Sequence, residues 1–197
     1  MKRKFKRFIS LLLAAILIIP SSWITQAAAA ETNKDIPVLL YHRIVENPSN
    51  EWTDTSVEKF EKTMQYLNDN GYNTLSAEQY VNIMEGKVTA PEKPILLTFD
   101  DATPDFITNA LPILKQYNMN SVLFVVSDWI GKGYSMPEEQ LKSLTNEPNV
   151  SLQNHSKTHE QTLVWNSNIT KEKASEEISA ANAYLKTITN KASVLMA

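Results

Sequence analysis

Short apolar runs alternate along the chain with longer segments of helical periodicity. Apolar runs over 36–41, 95–99 and 122–126 are of strand length, and 150–153 is also strand-like. Continuous apolar runs are typical of strands that are buried on both faces, as in parallel sheets. A further run over 194–196 indicates the start of one more strand.

Helical patterns fill the segments between these strands. Residues 57–67 repeat apolar side chains at helical spacing after a capping pair, Thr55 and Glu58, and Ser76 with Gln79 repeats the capping pattern. Further helices are predicted over 106–117, 137–144 and 171–188. Strands that alternate with helices predict an α/β fold with a parallel sheet and helices outside it.

The first 30 residues differ from the rest of the chain. Five basic residues precede an apolar run over 11–19, which is too short to span a bilayer comfortably, and four alanines follow at 27–30. This order predicts a secretory signal peptide over residues 1–30, with an uncleaved anchor as the alternative. Residues 31–197 show no internal repeat and are predicted to form one domain that acts outside the cytoplasm.

Charge and cysteine content narrow the function classes. Residues 31–197 hold 14 basic and 22 acidic residues, a formal charge of −8. Nucleic acid and anionic membrane surfaces need a basic face, so neither is an expected partner, and membrane contact is expected only through the N-terminal segment. The chain has no cysteine, which excludes thiolate zinc sites and cysteine nucleophiles.

Two adjacent carboxylates, Asp100 and Asp101, follow the predicted strand 95–99. Reactive groups of parallel α/β folds lie at the carboxyl ends of strands, where loops arrange them around a substrate. The alternative is a pair of turn acids that open the helix at residue 106. The position favours a catalytic or metal-binding role.

Two of the three histidines, His155 and His159, follow the strand-like segment 150–153. Residues four apart lie on one face of a helical turn, so the spacing predicts two imidazoles that share an ion, with surface histidines as the alternative. Together with Asp101 they offer two nitrogens and one carboxylate. Such a set leaves coordination positions open, as catalytic metal sites do.

The segments Thr98–Phe99–Asp100–Asp101 and 155–159 (HSKTH) resemble the first two motifs of the polysaccharide deacetylase family, the NodB-homology domains of carbohydrate esterase family 4. The resemblance implies a distorted (β/α) barrel and hydrolysis of N-acetyl groups on an amino-sugar polymer. It also implies that Asp100 is the general base. Asp101, His155 and His159 would bind a divalent metal, with zinc favoured over cobalt, nickel or manganese.

The segment 37–44 (PVLLYHRI) is similar to the opening of secreted poly-N-acetylglucosamine deacetylases. That polymer is therefore a candidate substrate, beside peptidoglycan and chitin-like polymers. His42 ends this strand. We interpret His42 as a packing residue, or as one that orients site residues without contacting the substrate, rather than as a catalytic residue.

The chain departs from the family pattern at two places. Ala102 and Thr103 stand where the family usually has glycine and an aromatic residue, so the turn either keeps an ordinary backbone or stores strain. The chain stops at Ala197, where the resemblance implies later motifs with an oxyanion donor, a group that orients the base and a histidine acid. We therefore expect a barrel that is incomplete at its C-terminus and a weak catalyst.

Two other function classes are compatible with these residues. A truncated, non-catalytic polysaccharide or cell-wall binding protein would use aromatic residues such as Trp129, Tyr134 and Trp165 to stack on sugars, although core packing explains them equally well. Two histidines and one carboxylate also form the iron site of non-haem Fe(II) oxygenases. The doubled aspartate favours hydrolysis, which needs a base.

Overall fold

A five-stranded parallel sheet lies at the centre of the structure, a computed structural model that describes residues 35–50, 52–159 and 169–197. The strand order is β1-β5-β6-β7, and β4 also pairs with β5; β2 and β3 form a separate parallel pair. The strands are β1 (Val38–Tyr41), β2 (Arg43–Val45), β3 (Asp54–Ser56), β4 (Asn73–Thr74), β5 (Pro94–Phe99), β6 (Ser121–Val125) and β7 (Val150–Asn154).

Five α-helices connect or follow these strands in the described residues. They are α1 (Val57–Asp69), α2 (Ala77–Met84), α3 (Leu111–Gln116), α4 (Glu138–Ser143) and α5 (Lys171–Thr189). Short 3₁₀ turns cover Ser127–Trp129 and Leu144–Asn146. The predicted alternation of strands and helices is therefore observed, and the short strands β2, β3 and β4 are additions to it.

The helix starts follow the capping chemistry of the sequence. The Ser76 and Gln79 capping box is confirmed. The predicted cap at Thr55 is wrong by one residue, because Thr55 is paired with Ile44 in the β2–β3 ladder and its backbone is extended. Ser56 is the cap instead, and its side chain accepts a hydrogen bond from the Lys59 N–H.

The helix predicted over 106–117 begins as a π-helix, Phe106–Ala110, and continues as α3. Asp105, directly before the π-helix, and Asn109, within it, hold both backbone groups of Ile44. The Ile44 N–H donates to Asp105 Oδ2 at 2.6 Å, and the Asn109 amide donates to the Ile44 carbonyl at 2.6 Å. These two bonds attach β2, and the His42 turn before it, to the start of the helix.

The sheet is covered on both faces at β5 and β6, as their continuous apolar runs predict. The prediction is wrong for β1, where Val38 and Leu40 are exposed on one face. All six residues of β5 are buried. Ile95, Leu97 and Phe99 pack in one cluster with residues of α1 and α3, whereas Leu96 packs in a second cluster with residues of α2 and β6. Alternate residues of one strand therefore face two cores, which fixes the register of β5 between β1 and β6.

Two sequence predictions concern the ends of the chain. The strand predicted over 194–196 is wrong in extent, since only Met196 forms an isolated bridge, with Asn154. The signal peptide predicted over 1–30 lies outside the described residues. Within the described ranges, no helix is both long enough and apolar enough to span a membrane.

Candidate metal centre and active site

The carboxyl ends of β1, β5 and β7 carry the candidate site, and β6 lies between β5 and β7. The ladder pairs Tyr41 of β1 with Phe99 of β5, so His42 and Asp100 leave the sheet side by side, and the Asp100 N–H donates to the Tyr41 carbonyl at 2.9 Å. At the carboxyl ends of β6 and β7, the His155 N–H donates to the Val125 carbonyl at 3.0 Å. The parallel ladders thus bring together residues that lie up to 117 positions apart in the sequence.

Asp101, His155 and His159 each offer one ligand atom, and these atoms all lie within 4.8 Å of one another. Asp101 Oδ1 is 3.7 Å from His155 Nε2 and 3.9 Å from His159 Nε2. The structure therefore brings together the three residues that the sequence analysis named as metal ligands. Asp100 joins them, with its Oδ2 at 3.7 Å from His155 Nε2.

The tautomer of His155 follows from its second ring nitrogen. His155 Nδ1 lies 2.9 Å from the backbone oxygen of Ala197. A main-chain carbonyl or terminal carboxylate oxygen accepts and does not donate, so Nδ1 carries a hydrogen and Nε2 is the ring nitrogen that faces the two aspartates. Metal-binding histidines are commonly oriented by such a bond on the other nitrogen.

The histidine loop, residues 155–159, is not a helical turn, so the predicted reason for the proximity of the two imidazoles is wrong. Ser156 and His159 have positive φ angles of 63° and 58°, which a helix excludes. Two local hydrogen bonds hold this backbone: the Ser156 N–H donates to Asn154 Oδ1 at 2.7 Å, and the His159 N–H donates to Ser156 Oγ at 3.0 Å. The ring centroids of the two histidines are 4.9 Å apart.

The aspartate turn, residues 100–102, also has a left-handed backbone, although it contains no glycine. Asp101 and Ala102 have φ angles of 70° and 50°, so the substitution of alanine for the family glycine stores strain beside the candidate base. Two distant residues hold the turn. Ser135 Oγ donates to the Asp101 carbonyl at 2.7 Å, and the Met136 N–H donates to the Ala102 carbonyl at 2.9 Å. No local pattern in the sequence identifies Ser135 or Met136 in this role.

Asp100 is buried beside a second carboxylate, and this environment changes its acidity. Burial raises its pKa from 3.8 to about 6, and the Asp101 carboxylate adds to this rise, whereas His42 and His159 oppose it. His42 Nε2 lies 3.9 Å from Asp100 Oδ2. His42 therefore lies beside the candidate base rather than among the three candidate metal ligands.

The donor set fits a divalent cation. Asp101 Oδ1 and Asp100 Oδ1 are both buried, and within the described ranges no hydrogen-bond donor reaches either of them. A buried carboxylate oxygen without a donor is unfavourable unless a cation compensates it. Ligand atoms at about 2.0–2.2 Å from one zinc ion lie roughly 3–4 Å apart, and the separations of 3.7 Å and 3.9 Å agree with this span.

Two of the three aromatic residues named from the sequence border the site. The Trp129 ring lies 4.9 Å from the His159 ring, and Tyr134 packs edge-on against Trp129 at 6.0 Å. Burial raises the pKa of Tyr134, and the nearby Asp101 charge contributes to the rise. Trp165 lies outside the described residues.

Comparison with known proteins identifies the family. The family described as polysaccharide deacetylase matches residues 87–197. A Bacillus subtilis (strain 168) protein named as a polysaccharide deacetylase, YxkH, is 32% identical over 139 residues, which are 71% of this chain and 47% of that protein. The poly-beta-1,6-N-acetyl-D-glucosamine N-deacetylase of Staphylococcus aureus (strain MSSA476) is 24% identical over 153 residues, covering 66% of this chain and 52% of that protein.

A solved structure shows the same architecture. The Streptococcus pyogenes deacetylase PplD, in complex with acetate, aligns with a TM-score of 0.73 and 26% identity, covering 82% of this chain and 72% of that one. The predicted α/β fold of the deacetylase type is thereby confirmed. The chain spans about half the length of the two curated relatives above. By its family match and its fold, this chain belongs to the polysaccharide deacetylase family.

Proposed function

We propose that this protein hydrolyses N-acetyl groups on an amino-sugar polymer, with a divalent metal held by Asp101, His155 and His159. One observation carries the proposal. Asp101 Oδ1 is buried without a hydrogen-bond donor among the described residues, faces the Nε2 atoms of both histidines, and lies beside a second carboxylate. A structural metal site would not need the additional carboxylate of Asp100, whereas hydrolysis needs a base there.

The metal and the base divide the chemistry. A divalent ion in this site supplies Lewis-acid polarisation of a carbonyl and lowers the pKa of water. Asp100 accepts the proton of the attacking water, whose oxygen forms a bond to the acetamide carbon. The carbon–nitrogen bond then breaks, the amine takes up a proton, and acetate and a free amino sugar are the products. The glycosidic bonds of the polymer stay intact.

Asp100 has properties that suit a base. In the metal-free protein burial raises its pKa to about 6, so it is mostly ionised at neutral pH and can accept a proton. His42 faces the same carboxylate from the end of β1 at 3.9 Å. We assign His42 a supporting role, in which it offsets the charge of Asp100.

The substrate class and compartment extend the proposal. Two relatives are named for deacetylation of poly-beta-1,6-N-acetyl-D-glucosamine, which favours that polymer over peptidoglycan and chitin-like polymers as the first substrate to test. The N-terminal segment 1–30 supports secretion or attachment to the cell surface. Zinc is the metal we favour, with cobalt, nickel and manganese as alternatives.

The test is acetate release from N-acetylglucosamine oligomers by the purified protein with added Zn²⁺ or Co²⁺. Asp100→Asn should keep stoichiometric metal and lose roughly 10²- to 10⁴-fold in turnover, because it keeps the shape and removes the proton acceptor. His155→Ala should lose the metal. Wild-type turnover in Asp100→Asn would refute the base assignment, and polymer binding without acetate release would favour the non-catalytic alternative.

A further inference from the structure

Glu177, on α5, is a completely buried carboxylate that the proposed chemistry does not use. Its Oε2 accepts a hydrogen bond from the Thr158 N–H at 2.8 Å. Lys173, one helical turn earlier, places its ammonium 3.2 Å from Oε1. A buried carboxylate destabilises the fold unless its charge is compensated. The contact of Glu177 with the histidine loop therefore points to a function for this carboxylate.

The helix α5 contacts the residue before the histidine loop and a residue near the end of the loop. Before the loop, the side-chain amide of Asn154 donates to the Ile178 carbonyl at 3.0 Å and to Asn182 Oδ1 at 2.7 Å. At the other end, Glu177 receives the N–H of Thr158, the residue directly before His159. Side-chain hydrogen bonds to the segment 177–182 of α5 therefore fix the loop, one set at Asn154 before it and one at Thr158 near its end.

We propose that Glu177 is a positioning residue, which holds the backbone of Thr158 so that His159 Nε2 faces Asp101. This inference rests on the metal site proposed above. His159 has a φ angle of 58°, which non-glycine residues rarely adopt without support. Its own N–H is held by Ser156 Oγ, and Glu177 holds the preceding N–H. Two consecutive backbone donors are thus fixed by side chains.

A carboxylate suits this position better than a neutral acceptor. Hydrogen bonds to an ionised acceptor are shorter and roughly twice as strong as neutral ones. The neighbouring Glu176 contacts the same loop through Lys157, at 3.3 Å, but both side chains are substantially exposed to solvent. Exposed ion pairs contribute little, so Glu177, and not Glu176, should determine the geometry of the loop.

The test measures Zn²⁺ and Co²⁺ affinity by calorimetry in Glu177→Met, Glu177→Gln and the matched control Glu176→Met. Loss of a group that orients a metal ligand typically weakens metal binding about 10- to 100-fold, and we expect this for Glu177→Met. Glu177→Gln keeps an acceptor oxygen and should lose less. Glu176→Met should retain the wild-type affinity and the wild-type visible spectrum of bound Co²⁺.

A double-mutant cycle with His159→Ala shows whether Glu177 acts through that histidine. In the His159→Ala background Asp101 and His155 still bind Zn²⁺ weakly, and Glu177→Gln should cost no further affinity there, whereas a general structural role would give additive losses. The Gln variant carries this test if Glu177→Met does not fold by circular dichroism. Wild-type affinity in folded Glu177→Met, or additive losses in the cycle, would overturn the inference. Unchanged affinity in His159→Ala alone would instead refute the metal site.

Discussion

The aspartate turn and the histidine loop meet at one site, but different forces hold them. The aspartate turn follows β5, which pairs with β1, β4 and β6 and is buried along its whole length. The histidine loop follows β7, which pairs with β6 and, among the described residues, otherwise only through the bridge to Met196. Its backbone relies on side chains of Asn154, Ser156 and Glu177.

The two segments therefore differ in how their strained backbones are held, by strand pairing with core packing in one and mainly by side-chain hydrogen bonds in the other. Both segments contain non-glycine residues with positive φ. Apolar packing beneath the aspartate turn is non-directional and collective, and it acts there together with the hydrogen bonds from Ser135 and Met136. Directional hydrogen bonds hold the histidine loop, so single polar substitutions should displace it.

The largest expected effect is the loss of packing under the aspartate turn. Phe99 is fully buried and contacts the rings of Tyr41, Phe60 and Phe106 at centroid distances of 5.0–5.8 Å. Phe99→Ala should lower the free energy of unfolding by about 3–5 kcal/mol, as large core deletions do. Urea unfolding measures this. The control Leu40→Ala, at a side chain 56% exposed on β1, should change it by about 0.5 kcal/mol or less.

The second prediction concerns the charge that the aspartate turn buries. The pKa of Asp100 is about 6 in the folded protein and 3.8 in the unfolded chain. Between these two pH values the unfolded chain has lost its proton while the folded protein still holds it, so the unfolded state binds fewer protons. Stability of the metal-free protein therefore falls as the pH rises through this window. Asp100→Asn removes this titration and should be more stable by about 3 kcal/mol above pH 6.

Thermal or urea unfolding in the presence of a chelator, between pH 3.5 and 7.5, checks the pH dependence of this difference. The wild-type and Asp100→Asn proteins should have similar stability at the acidic end, where both side chains are neutral. A constant difference between them across the whole range would show that Asp100 is not abnormally protonated in the fold.

The third prediction tests the polar contacts of the histidine loop. The Asn154 side chain is buried and makes three hydrogen bonds, to Ile178, Asn182 and Ser156. Asn154→Ala leaves the Ser156 N–H without its acceptor and should lower the free energy of unfolding by about 1–3 kcal/mol. Amide exchange at Ser156 and Thr158 should accelerate.

A matched variant sharpens this result. Asn182→Ala removes only one of the three bonds and should cost about 1 kcal/mol or less, without faster exchange at Ser156. Equal effects of the two variants would indicate that the general packing of α5 on β7 holds the loop, and not the hydrogen bonds of Asn154.

The smallest effect is expected for Ala102→Gly in the aspartate turn. Glycine relieves the left-handed strain, which amounts to about 1–2 kcal/mol, but loses a buried methyl group and adds unfolded-state entropy. The net change in unfolding free energy should be within about 1 kcal/mol. Ala102→Val should destabilise by more than that, because a β-branched residue resists positive φ. Equal stabilities of the Gly and Val variants would contradict the strained turn.

The fold and the composition of the candidate site are largely predictable from local patterns. The apolar run of β5 and the capping box at Ser76 act within a few residues, so the sequence identifies the elements directly. The two motifs also name the four residues that the structure brings together. The predicted helical turn for His155 and His159 is wrong because side chains of Asn154 and Ser156 compete for the backbone donors that a helix would use.

Local patterns predict that strands and helices alternate and that carboxylates and histidines follow strands, in an acidic chain without cysteine. How these groups meet depends on the tertiary structure. The left-handed turn at Ala102 depends on Ser135 and Met136, and the histidine loop depends on Glu177, and all of these contacts cross 19 or more residues. Such contacts arise because parallel pairing brings distant strand ends to one edge, and no local pattern records which side chains face each other there.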